Sequence, residues 1–137
     1  MILPQQADYT DGATVVLVDY PPTLEGSAVA DANGIATVEF DPIDMPFLWR
    51  VERLTTRLSD DNPPAGAVCE VYEGPTLLPT RLRDGSSAPS LDIADQSSPI
   101  TLQPTAQLVV QWTGLTPGTT ASVSAQYQLW RRIIPGS

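Results

Sequence analysis

Apolar and polar residues alternate with a period of two through much of this chain, and proline, glycine and aspartate break the alternation at short intervals. That pattern predicts short β-strands joined by turns. Ala13–Tyr20 is a β-branched run bounded by Asp11-Gly12 and Pro21-Pro22, and reads as a strand. Ala28–Ala32 and Ile35–Phe40 flank Asn33-Gly34. This dipeptide suits the two positive-φ positions of a type I′ turn, so a hairpin is expected, with Ala36, Val38 and Phe40 on one face. Phe47–Ser59 carries two signals. Phe47, Val51, Leu54 and Leu58 fall at helical spacing, while Trp49 and Val51 alternate with Arg50 and Glu52, and Thr55-Thr56 suits a strand. We read it as a strand with a bulge near Arg53, a helix being the alternative.

Ala67–Glu73 reads as a strand. Gly74–Pro99 is the least periodic region, with one short strand expected at Thr80–Arg83, and an irregular stretch of that length suggests a functional loop. Gln107–Thr113 and Thr119–Trp130 alternate cleanly about Gly114–Gly118, which predicts a second hairpin. Seven or eight such strands imply an all-β fold: an antiparallel β-sandwich, jelly-roll-like, in a single domain. The expected division is an N-terminal arm over 1–12, the sandwich over 13–131 and a C-terminal tail over 132–137. The expected core is Val16, Val18, Val38, Phe40, Trp49, Val51, Val71, Leu108, Val110, Trp112, Val123, Tyr127 and Leu129.

Composition narrows the chemistry. The 137 residues include 14 prolines, 42% hydrophobic and 17% charged residues, which fits one ordered domain. There is no histidine and no lysine, and Cys69 is the only cysteine. An imidazole base, a Schiff-base amine, an intrachain disulfide and a cysteine zinc site are therefore all excluded. The net charge of −9 disfavours nucleic acid and anionic membranes as partners. No run approaches the roughly 20 apolar residues of a membrane span. The start, MILPQQADYTDG, lacks the pattern of a signal peptide, so folding in a cytoplasm is expected.

Carboxylates are the remaining acid–base candidates. Asp92 with Asp95, or Asp60 with Asp61, could form a pair, but close carboxylates occur in every acidic protein. Asp84, Asp92 and Asp95 could supply oxygens to calcium, yet lack the spacing of a calcium loop; capping of turns is the preferred reading. No catalytic residue, metal site or cofactor is assigned. Trp49, Trp112 and Trp130 could stack on sugars, although Trp112 lies on an apolar face. Trp130 falls on the polar face of its strand and leads into Arg131, Arg132, Ile133 and Ile134. Aromatic, arginine and aliphatic residues at an exposed terminus suit an interface. Ile2 and Leu3 make the other terminus a second candidate docking arm.

The order of several short motifs resembles a group of small virion proteins of tailed phages of actinobacteria. These motifs are Asn-Gly-Ile-Ala-Thr-Val-Glu-Phe at 33–40, Phe-Leu-Trp-Arg-Val-Glu-Arg-Leu at 47–54, Cys-Glu-Val-Tyr at 69–72, Leu-Arg-Asp-Gly at 82–85, Leu-Asp-Ile-Ala-Asp at 91–95, Pro-Ile-Thr-Leu at 99–102, Leu-Val-Val-Gln-Trp-Thr-Gly at 108–114 and Pro-Gly at 117–118. The resemblance covers about two-thirds of the chain. It implies a capsid decoration (cement) protein on the virion surface, with the major capsid protein as partner and a homotrimeric state. A minor tail or host-contact protein is the alternative, with Gly74–Pro99 as its recognition loop. A carbohydrate-binding sandwich module is the second alternative.

Overall fold

A computed structural model describes residues 6–8, 14–74, 81–86 and 89–133. These contain eleven strands and no helix. The strands are β1 (Gln6–Asp8), β2 (Thr14–Asp19), β3 (Leu24–Val29), β4 (Ala36–Glu39), β5 (Phe47–Leu58), β6 (Val68–Glu73), β7 (Arg81–Ser86), β8 (Ser90–Ala94), β9 (Ile100–Leu102), β10 (Leu108–Thr113) and β11 (Thr120–Ile133). They form two antiparallel sheets, so the protein is an all-β sandwich. The larger sheet has seven strands in the order β1-β2-β11-β5-β8, with β3 also on β11 and β9 also on β5. The smaller has four, in the order β4-β10-β6-β7.

The long strands β5 and β11 form the spine of the larger sheet. Each is long enough to carry two shorter strands end to end along its free edge. β2 and β3 share β11, and β8 and β9 share β5. Alternation along them decides which side faces inward. Val51, Leu54, Thr56 and Leu58 of β5 meet Ala121, Val123 and Ala125 of β11, and all are buried. From the smaller sheet come Ala36, Val38, Val71, Leu108, Val110 and Trp112, with Phe40 just beyond β4, joining them in one core. Burial of apolar area between the two sheets is the main stabilising term.

Phe47–Leu58 is a strand, as its alternation predicts, and its bulge lies beside Arg53. Arg53 pairs with Gln126 and Val51 with Tyr127, which leaves Glu52 as the extra residue. The helical spacing of Phe47, Val51, Leu54 and Leu58 arises because the bulge offsets the period of two by one residue.

Several expectations are corrected. The turn at Asn33-Gly34 forms, closed by the Gly34 amide donating to the Asp31 carbonyl at 3.0 Å, but only Gly34 has positive φ (76°), so it is not type I′. Its two strands also part: β3 joins the larger sheet and β4 the smaller. The same holds for β10 and β11, which Gly114–Gly118 connects across the sandwich rather than as a ladder pair. Gly74–Pro99 is not one long loop, since β7 and β8 occupy much of it. Val18 is 49% exposed, because β2 shifts register there, with Leu17 opposite Trp130 and Asp19 opposite Leu129. Val15 is buried instead. Trp49, Tyr127 and Leu129 are half-buried at the margin of the core, and Val16 is half-buried as well. At the chain ends, residues 6–8 of the expected arm pair with β2, and β11 runs on to Ile133.

Candidate interaction surfaces

Of the carboxylates singled out in the sequence, Asp60, Asp84, Asp92 and Asp95 are each engaged locally. Asp95 accepts from the Ser97 hydroxyl at 2.6 Å and from the Ser97 and Ser98 amides at 2.9 and 3.0 Å. The Ser97 hydroxyl and the Ser98 amide hold its carboxyl below the usual aspartate range. Asp92 accepts from the Thr55 hydroxyl at 2.6 Å and lies 3.7 Å from Arg53, tying β8 to β5. Asp84 lies 3.6 Å from Arg81, and Asp60 accepts from the Asn62 amide at 2.9 Å. Among the described residues no three acidic or cysteine side chains gather as a metal site would require. Asp84, Asp92 and Asp95 therefore act as turn and strand fasteners here.

Glu70 centres a second polar group, on the smaller sheet. It accepts from the Tyr72 hydroxyl at 2.8 Å and from Arg81 at 3.2 Å. Burial, followed by the bond to Glu70, raises the Tyr72 pKa.

Two concave surfaces stand out. The first lies on the outer face of the larger sheet, where the alternation of β3, β5 and β11 points its polar residues. Rows of cross-strand neighbours run Ser27–Ser122–Arg57 and Glu25–Ser124–Thr55, followed by Gln126–Arg53. They line an open depression of about 630 Å³. It is mostly polar, with Gly26 of β3 and Val123 of β11 also in its lining.

The second lies at one end of the sandwich. Leu24, Phe40, Phe47, Trp49 and Leu129 form an apolar groove of about 530 Å³, rimmed by Glu39, Asp41 and Asp44. Proline shapes this rim: Asp41–Pro46 links β4 to β5, and the Ile43 and Thr105 amide bonds (2.9 and 2.8 Å) fix it to the segment before β10. Trp49 stacks on Tyr127 with ring centroids 4.4 Å apart and planes tilted by 35°, which holds the Trp49 indole at the mouth. Burial, and then the nearby Asp19 charge, raises the Tyr127 pKa.

The predicted interface residues separate. Trp130 is only 6% exposed, where the sequence pointed to an exposed position. It does lie on the outer face, but Val15 and Leu48 form a small apolar cluster with it, and its Nε1 donates to Gln128 Oε1 at 3.0 Å. Arg131 and Ile133 are exposed, and Arg132 is half-buried. Ile2, Leu3 and Ile134 lie outside the described residues. Trp112 is fully buried, so neither it nor Trp130 offers a stacking face. Sequence reasoning missed the groove, since its residues come from β3, the Asp41–Pro46 link, β5 and β11. The one available signal was the cluster of acids and prolines before Phe47.

No protein-family model and no curated protein matches this chain.

Proposed function

We propose that this chain is a phage capsid decoration protein, which binds the outer surface of an assembled icosahedral head as a homotrimer. Its partner is the major capsid protein, and its place is the virion surface after synthesis in the host bacterial cytoplasm. Such a protein works by mass action: binding only the assembled lattice, it stabilises that lattice. The motif order described above supports the reading.

The observation that carries it is the character of the groove end. Met45, next in sequence to the rim residue Asp44, is 64% exposed, and Ile133, two residues beyond Arg131 at the end of β11, is 46% exposed. Exposed apolar side chains with charged neighbours suit contact with another protein. Mass spectrometry of separated heads and tails tests the proposal, as does a density map of the intact virion. Recovery from heads is expected, and recovery from tails alone would overturn it.

The tail reading drew on an irregular Gly74–Pro99, and β7 and β8 remove much of that support. The carbohydrate reading asked for several tryptophans above a groove, and Trp49 is the single one at such a position.

A further inference from the structure

We infer that copies of this chain associate through the groove end of the sandwich, the groove of one copy receiving Arg131 and Ile133 of the next. The groove offers apolar walls, Phe47 and Trp49 among them, beneath a rim of Glu39, Asp41 and Asp44. Among the described residues, no ion pair engages any of the three rim acids. An occupant matching this site needs a cation beside an aliphatic side chain.

The chain itself carries that complement at the same end. Arg131 lies opposite Phe47 in the β5–β11 ladder, and is exposed without an ion pair among the described residues. Ile133 follows two residues later on the same strand face, with Met45 nearby, since the Arg132 amide donates to the Pro46 carbonyl at 3.0 Å. The chain has seven arginines and no lysine, so exposed cations are scarce on it. Arg50, Arg57 and Arg131 are exposed with no ion pair among the described residues, and of these Arg131 has an exposed isoleucine, Ile133, two residues along its strand. Because the two patches adjoin at one end, they can engage reciprocally about a two-fold axis, or one way in a ring where the rotation closes. The opposed charges would fix the register, and the apolar pair would supply most of the affinity.

This inference rests on the self-association part of the proposed function and not on its capsid part. Native mass spectrometry and light scattering on the full chain test it. A discrete oligomer is expected for the wild type. Asp44→Arg and Arg131→Glu should each weaken assembly roughly tenfold or more, because each sets like charges against one another. The double variant should regain assembly. Ile133→Ser should weaken it without any change of charge. Circular dichroism on every variant checks that the fold is kept. A wild type that stays monomeric would overturn the inference and leave the groove to a different basic–apolar partner. So would single variants that assemble normally, or a double variant that fails to recover. A monomer that still binds heads would sink this inference and spare the capsid reading, whereas an oligomer that never binds heads would do the reverse.

Discussion

Cys69 shows how far burial alone can set the chemistry of a residue. It is fully buried on β6, beside Trp112 in the ladder, and desolvation of the thiolate pushes its pKa up from 9.0 to about 12. The thiol is therefore inert in the native state. A thiol reagent at pH 8 should leave Cys69 unmodified in the folded protein and react once denaturant is added; prompt native labelling would contradict its burial. The linkage has a definite sign. A pKa raised by folding gives stability that is fully present below pH 9.0 and is lost as pH rises toward about 12. Denaturant midpoints should fall across that interval, and by less in a Cys69→Ala variant. Two glycines serve different needs. A Cβ at Gly26 would come within 2.6 Å of Val38 Cγ1 and 3.3 Å of Phe40, so Gly26→Ala overpacks the core and should cost about 1–3 kcal/mol. Gly34 has a φ of +76°, and a Cβ there would strike the Leu115 backbone. Side chains can shift and a carbonyl held in a turn cannot, so urea unfolding should show Gly34→Ala to be the more damaging change.

Among the elements, the two inter-sheet connections depend on one another. The Leu115 amide donates to the Gly34 carbonyl at 3.0 Å, and the Gly118 amide donates to the Ala30 carbonyl at 3.0 Å. The Ala30 amide donates to Thr119 at 2.8 Å, so the β3–β4 and β10–β11 links are bonded side by side at one end of the sandwich. Both turns were legible because Asn33-Gly34 and Pro117-Gly118 act locally. Their strand partners were not, since pairing is decided by residues far away in sequence. β5 was legible once alternation and the β-branched Thr55-Thr56 outweighed its helical spacing. The groove was hidden, because no single segment supplies it. Edge strands rely on such distant partners most. β8 is bonded to β5, and Asp92 binds the Thr55 hydroxyl and faces Arg53 there. Both Arg53 and Asp92 are more than half exposed, so the ion pair adds little and the hydrogen bond about 1 kcal/mol. Asp92→Ala should speed amide exchange across Ser90–Ala94 while β11 stays protected. Equal acceleration in β11 would show that β8 is not an independent edge.

For the whole molecule, β11 joins the two ends of the chain. It pairs with β2 near the N-terminus and with β5 in the middle, so the central ladder closes only when distant segments meet. Such non-local pairing predicts slow folding, on the order of milliseconds to seconds. The Trp130 cluster lies where these segments meet, with Val15 from β2, Leu48 from β5 and Trp130 from β11. This changes the meaning of a C-terminal deletion. Were this terminus only a docking tail, residues 130–137 could be removed with the fold intact. Removal of Trp130–Ile133 would in fact take away the β11 residues that pair with β2 from Thr14 to Leu17 and uncover Val15 and Leu48. Trp130→Ala probes the junction with less disruption. It empties a large buried site and deprives Gln128 Oε1 of its donor, so a loss of roughly 3–5 kcal/mol is expected. Arg131→Glu, one residue along, keeps the pairing and changes only an exposed side chain, so its stability should stay within about 0.5 kcal/mol of the wild type. Thermal unfolding of the two variants side by side separates the roles: a large drop for Trp130→Ala alone marks it as structural and leaves Arg131 for contact. Equal drops would mean that this end of β11 serves the fold alone.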